Sequence, residues 1–172
     1  GSNGQFYTQE QMRDIIAYAG LRGIRIVPEF DMPGHMSSWF VSKPELASLQ
    51  REPVLPTRFG IFDAVMDPTR EENYAFIAAF MDEMVEIFPD AYWFLGADEA
   101  TGRDWDANPE IAAKIQERNK TRKQARKSLL RSHSPWHSKT DGNSDLYAYF
   151  VRRAVAIVKE KGKQPVVWDD AL

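Results

Sequence analysis

Ala91-Tyr92-Trp93-Phe94-Leu95-Gly96-Ala97-Asp98-Glu99 is an unbroken apolar run closed by a glycine, an alanine and two adjacent carboxylates. A strand with one wet face alternates apolar and polar residues. Residues 91–95 do not alternate, which predicts a strand buried on both faces, as in a parallel sheet. Neighbours in a strand point to opposite faces. Asp98 and Glu99 therefore share a pocket only if the chain has already turned out of the strand, and Gly96 eases that turn. Taken alone, such a pair reads first as a solvated loop.

Working outward, the same unit recurs. Thr8-Gln9-Glu10-Gln11 has the pattern of a capping box, and Met12, Ile15, Ile16 and Ala19 follow at helical spacing. Gly20 and Gly23 sit where that helix would stop. Ile24-Arg25-Ile26-Val27 reads as a short strand whose pairing ends near Pro28, because proline has no N–H for a ladder. Glu29 to His35 then forms a loop. Residues 41–66 are Pro-rich and irregular. Asp67-Pro68 reads as an N-cap with proline at the first helical position. Ile77, Phe80, Met81, Met84, Val85 and Phe88 make an apolar stripe, best read as core. Asn108-Pro109 opens another helix with Ile111, Ala112 and Ile115 inward. Ser144 is expected to cap a last helix carrying Leu146, Phe150, Ala154 and Ile157, with Gly162 at its end. Pro165 to Trp168 reads as a further strand, with Asp169 and Asp170 beyond it.

Helices alternating with strands predict an α/β fold around a parallel sheet. Ionisable residues cluster just after each strand, the layout of a TIM-barrel active site. A doubly wound sheet also binds ligands at the C-terminal strand ends. No GxGxxG or phosphate-loop motif is present, which weakens a nucleotide-binding version.

The 172 residues suffice for one domain with a core. The net charge of −3 asks for neither a nucleic acid nor a membrane surface. No apolar run reaches the roughly 18 residues of a membrane span, and no N-terminal signal pattern is visible. With no cysteine, disulfides and thiolate chemistry are excluded. From Arg118 to Lys139 there are eight cations and no carboxylate, which leaves 14 cations against all 25 carboxylates elsewhere. We expect a basic, flexible insertion at about 119–141; a tether to an anionic surface is the lesser alternative.

Asp98-Glu99 is the strongest chemical candidate. A glycosidase nucleophile and its acid flank the scissile bond, roughly 5 Å or more apart, which adjacent residues on one loop serve poorly. Adjacency suits a different division: one carboxyl protonates the leaving oxygen while the other holds a nucleophile internal to the substrate. Asp31 precedes His35 in a Pro-Gly turn, where an Asp near a His fixes its tautomer. Trp93 reads as core and Trp168 as an apolar wall, while Trp39 and Trp105 read as loop residues. Asp31, His35, Asp98, Glu99, Asp169 and Asp170 include donor types for a cation, but no metal-site spacing is present, so no metal and no cofactor are expected.

Together these pieces resemble the family-20 glycoside hydrolases, the β-N-acetylhexosaminidases. Gly23-Ile24-Arg25-Ile26-Val27-Pro28-Glu29-Phe30-Asp31-Met32-Pro33-Gly34-His35 is similar to that family's strand-and-loop signature. Phe94-Leu95-Gly96-Ala97-Asp98-Glu99-Ala100 is similar to its catalytic segment, usually HxGGDE, with Phe94 in place of His and Ala97 in place of Gly. Phe62-Asp63 through Asp67-Pro68, Trp105 to Pro109 and Val167-Trp168-Asp169 match in order. The resemblance implies a (β/α)8 TIM-barrel type, with about three central βα units in residues 1–172. It implies hydrolysis of terminal, non-reducing β-linked N-acetylglucosamine or N-acetylgalactosamine from a glycan or glycoconjugate. The implied mechanism is retaining and substrate-assisted, without a cofactor. By motif, Glu99 is the general acid and then base. Asp98 orients the acetamido group, Asp31 and His35 support Glu99, and Trp168 walls the acetamido pocket. The resemblance also suggests an extracytoplasmic setting and leaves oligomeric state open. The alternative is a non-catalytic, degenerate sugar-binding relative or an inactive barrel fragment.

Overall fold

The computed structural model describes residues 4, 6–52, 54–125 and 141–171. The elements run α1 (Gln9–Gly20), α2 (Ser37–Ser42), α3 (Glu71–Val85), β1 (Tyr92–Phe94), α4 (Arg103–Ala107), α5 (Pro109–Ala125), α6 (Asp141–Glu160) and β2 (Gln164–Val166). The fold is α/β, built on parallel pairing.

β1 lies in the middle of the sheet. On one side it pairs in parallel with β2, Trp93 opposite Pro165. Gln164 N–H donates to Ala91 O at 2.7 Å and Leu95 N–H to Val166 O at 2.8 Å. In a parallel ladder alternate residues bond to a given neighbour, so Pro165 falls where β1 needs no donor from it. On the other side β1 pairs in parallel with 28–32. Phe94 N–H donates to Pro28 O, Phe30 N–H to Phe94 O, and Met32 N–H to Leu95 O, at 3.0 to 3.1 Å. This corrects the expected strand at 24–27. The ladder begins at Pro28 instead of ending there, because the proline contributes its carbonyl and the missing N–H is not called on. Ile24 and Val27 are exposed, and residues 24–27 join no strand among the described residues.

The helices cover this sheet through their apolar stripes. Ile77 and Met81 of α3 and Phe150 and Ala154 of α6 are buried with Trp93 and Leu95 in one core. Each fully buried large aliphatic or aromatic side chain there contributes about 1.5–3 kcal/mol. Phe30 stacks on Trp93, with centroids 5.2 Å apart. A second core joins Ile111 and Ile115 of α5 to Leu146 and Tyr147 of α6 around Trp105.

Local signals held where their partners were local. Thr8 and Gln11 form the capping box, and Asn108 Oδ1 accepts from the Glu110 and Ile111 N–H groups at the start of α5. Three expectations change. α3 begins at Glu71 and not after Asp67-Pro68; Asp67 is buried and instead accepts from the Thr69 N–H and hydroxyl. α6 begins at Asp141, ahead of Ser144. Trp39 lies on α2, and Trp105 lies on α4, where it is fully buried and donates to Met66 O at 3.0 Å. Residues 119–125 of the expected insertion continue α5, and 126–140 lie outside the described residues. No helix among the described residues is long and apolar enough to cross a membrane.

Candidate active site

The chain turns sharply as it leaves β1. Gly96, Ala97 and Glu99 have φ of 65°, 58° and 48°, the left-handed region that disfavours residues with a Cβ. This turn takes Asp98 and Glu99 out of strand alternation. Only glycine fits at 96: a Cβ there would lie 2.1 Å from Asp31 Oδ1.

Four hydrogen bonds from three other parts of the chain hold the turn. Trp168 N–H donates to Gly96 O at 2.9 Å. Ala97 N–H donates to Asp31 Oδ1 at 3.0 Å, and Ala97 O accepts from the Tyr147 hydroxyl. Glu99 N–H donates to Asp170 Oδ2 at 3.2 Å. Residues at least 50 positions apart thus meet on one short loop.

Asp31, His35, Asp98 and Glu99 come together at this end of the sheet. His35 Nε2 lies 3.2 Å from Glu99 Oε2 and 3.9 Å from Asp98 Oδ1. Asp31 turns the other way, to the Ala97 N–H and to Asp98. Its burial, then its hydrogen bond to Asp98, push its pKa up to about 8. Asp31 accordingly holds a proton at neutral pH. A protonated carboxyl donates to its neighbour, and Asp98 Oδ1 is otherwise buried without a donor. The supporting pair therefore divides: His35 faces Glu99 and Asp31 faces Asp98. The donor atoms of Asp31, His35 and Asp98 lie within 4.8 Å of one another, a spacing open to a cation.

Trp168 sits beside the turn, half-exposed, its ring T-shaped to Phe94 with centroids 4.8 Å apart and its Nε1 donating to Glu29 Oε1 at 3.2 Å. A separate cleft of about 310 Å³ opens between the 37–64 segment and Asp104, where Arg51 pairs with Asp104 at 2.7 Å. None of Asp31, His35, Asp98, Glu99 or Trp168 lines it.

Tyr147 and Glu29 were not singled out for the site from sequence, and Asp170 was named only as a possible cation donor. A signal for Tyr147 did exist: it lies on the inward stripe three residues before Phe150, and a buried tyrosine hydroxyl needs a partner. Its identity was not readable, because Ala97 is 50 residues away.

Comparison with known proteins places these motifs in context. The profile of the glycosyl hydrolase family 20 catalytic domain matches residues 1–172. The chain is 39% identical over 115 residues to beta-hexosaminidase A of Caenorhabditis elegans, covering 65% of this chain and 20% of that protein. It is 32% identical over 167 residues to the beta-hexosaminidase beta subunit of Sus scrofa, covering 96% and 27%. The structure of Flavobacterium johnsoniae chitobiase superposes with a TM-score of 0.80 at 35% identity, covering 100% of this chain and 23% of that one. The chain thus spans roughly a quarter or less of the length of these relatives.

Proposed function

The chain belongs to the family 20 glycosyl hydrolase catalytic domains, and on that premise we propose that it carries the acid and the orienting carboxylate of a β-N-acetylhexosaminidase. The substrate is a glycan or glycoconjugate with a terminal, non-reducing β-linked N-acetylglucosamine or N-acetylgalactosamine. The observation that carries this reading is the left-handed turn that brings adjacent Asp98 and Glu99 to one site with His35 on Glu99.

Adjacent carboxyls serve neighbouring atoms on one side of a sugar. Asp98 accepts the acetamido N–H and orients its carbonyl oxygen, which attacks the anomeric carbon. Glu99 protonates the glycosidic oxygen as that bond breaks. The resulting oxazolinium ion is opened by water, whose proton returns to Glu99. His35 at 3.2 Å from Glu99 tunes that exchange. Trp168 walls the acetamido group. The parallel segments 28–32, β1 and β2 are consecutive staves of a (β/α)8 barrel, and their C-terminal ends carry the chemistry.

In a full-length protein carrying these residues, Glu99→Gln should abolish nearly all turnover of a chromogenic N-acetylglucosaminide. Near-normal turnover sinks the assignment. A second reading, a sugar-binding relative without catalysis, is favoured by Phe94 standing where the family usually has His. Binding of N-acetylglucosamine by calorimetry with no hydrolysis would select it.

A further inference from the structure

Ala97 is an L-residue at φ 58°, a left-handed conformation that residues with a Cβ rarely adopt. Such a geometry persists only where its surroundings over-determine it. Both polar groups of Ala97 are taken. Its N–H goes to Asp31, reaching across from the neighbouring parallel segment 28–32, and its carbonyl takes the Tyr147 hydroxyl from α6. That carbonyl belongs to the peptide unit linking Ala97 to Asp98, so fixing it fixes the plane from which the Asp98 side chain departs. Tyr147 is buried, with Leu146 and Trp105 in the same core. Burial and the charges of Asp170, Asp98 and Asp31 all disfavour its phenolate. The hydroxyl therefore remains a donor across the working pH range.

We infer that Tyr147 is a positioning residue, whose hydroxyl locks the Ala97–Asp98 peptide and thereby aims Asp98 at the substrate's acetamido group. It touches no reacting atom. Asp98 is the group it acts through, and the inference rests on the function proposed above.

The effect should appear in kcat, because the aim of Asp98 matters most when the acetamido oxygen attacks. It should appear with aryl leaving groups that need no protonation as well as with those that do. In a full-length protein carrying these residues, Tyr147→Phe should lower kcat about tenfold, the low end for loss of a group that orients a catalytic residue. KM should change little. The loss should be equal on 4-nitrophenyl and 2,4-dinitrophenyl N-acetylglucosaminides, whereas in Glu99→Gln the better leaving group should restore kcat/KM, which reports the bond-breaking step, and not kcat, because the second step still lacks its base. Tyr147→Leu separates packing from aiming. It should match Tyr147→Phe in kcat, although its melting temperature falls further because the ring is lost. Tyr147→Phe with kcat within about twofold of wild type overturns the inference, as does a loss confined to the 4-nitrophenyl substrate. If wild-type protein hydrolyses no N-acetylhexosaminide, the proposed function fails first and the inference falls with it.

Discussion

At the N-terminal end of the sheet Asp90 meets Arg25 in a bidentate pair, both bonds 2.8 Å, with the guanidinium in water. At the C-terminal end, on the same two chain segments, Asp31 meets a second carboxyl. The Arg25 hydrogen bond holds Asp90 below the usual carboxylate range, whereas burial and Asp98 push Asp31 up to about 8. The backbone differs in the same sense, relaxed at 90 and left-handed through most of 96–99. One end satisfies its charges as cheaply as the surface allows. The other keeps a strained turn and a buried carboxyl whose pKa is raised beside a second carboxyl, held by bonds from distant parts of the chain. Such unfavourable arrangements cluster where chemistry is done.

The largest contrast should be in rate. Asp98→Asn in a full-length protein should lower kcat by about 10²–10³-fold, the scale for removing one electrostatic stabiliser of a transition state. Asp90→Asn should leave kcat within about twofold. Equal effects on steady-state kinetics would erase the distinction between the two ends.

Next comes backbone strain. Gly96→Ala forces a Cβ against Asp31 Oδ1 at 2.1 Å at φ 65° and should destabilise by about 3 kcal/mol or more. Gly162→Ala has a similar φ of 74° with nothing within 4 Å of the added Cβ, and should cost only about 1 kcal/mol. Urea midpoints measure both, and similar costs would show that the close approach to Asp31 carries no weight.

A smaller effect concerns pH. Asp31 binds its proton more tightly folded than unfolded, so its contribution is fully present below the usual carboxylate pKa and is lost as pH rises toward about 8. The urea midpoint should decline between pH 5 and 8. Asp31→Asn, neutral throughout, should flatten that decline. Asp90 works in the opposite sense, its contribution being lost only as pH falls through its lowered pKa. A wild-type midpoint that is level from pH 5 to 8 would contradict the raised pKa of Asp31.

The smallest effect belongs to the exposed pair. Arg25→Gln should lower the melting temperature slightly, and the difference should vanish in high salt, because exposed ion pairs are screened. A large, salt-independent loss would mean that this end of the sheet is also held by a buried interaction.

The sequence by itself determined the features whose partners lie within a helical turn or a strand length. These are the Thr8–Gln11 capping box, the α3 and α6 stripes, the parallel character of 91–95 and the two motif loops that bear Asp31, His35, Asp98 and Glu99. The site candidates were legible because family motifs keep fixed residues at fixed spacing. Only the tertiary structure decided how they are wired. It put the start of the ladder at Pro28, buried Trp105, assigned His35 to Glu99 and Asp31 to Asp98, and brought Tyr147 and Asp170 to the turn. Hydrophobic periodicity reports which face of an element is buried. Which donor meets which acceptor across 50 or more residues depends on the parallel register and on where α6 crosses the sheet, and neither is written in any local stretch of the chain.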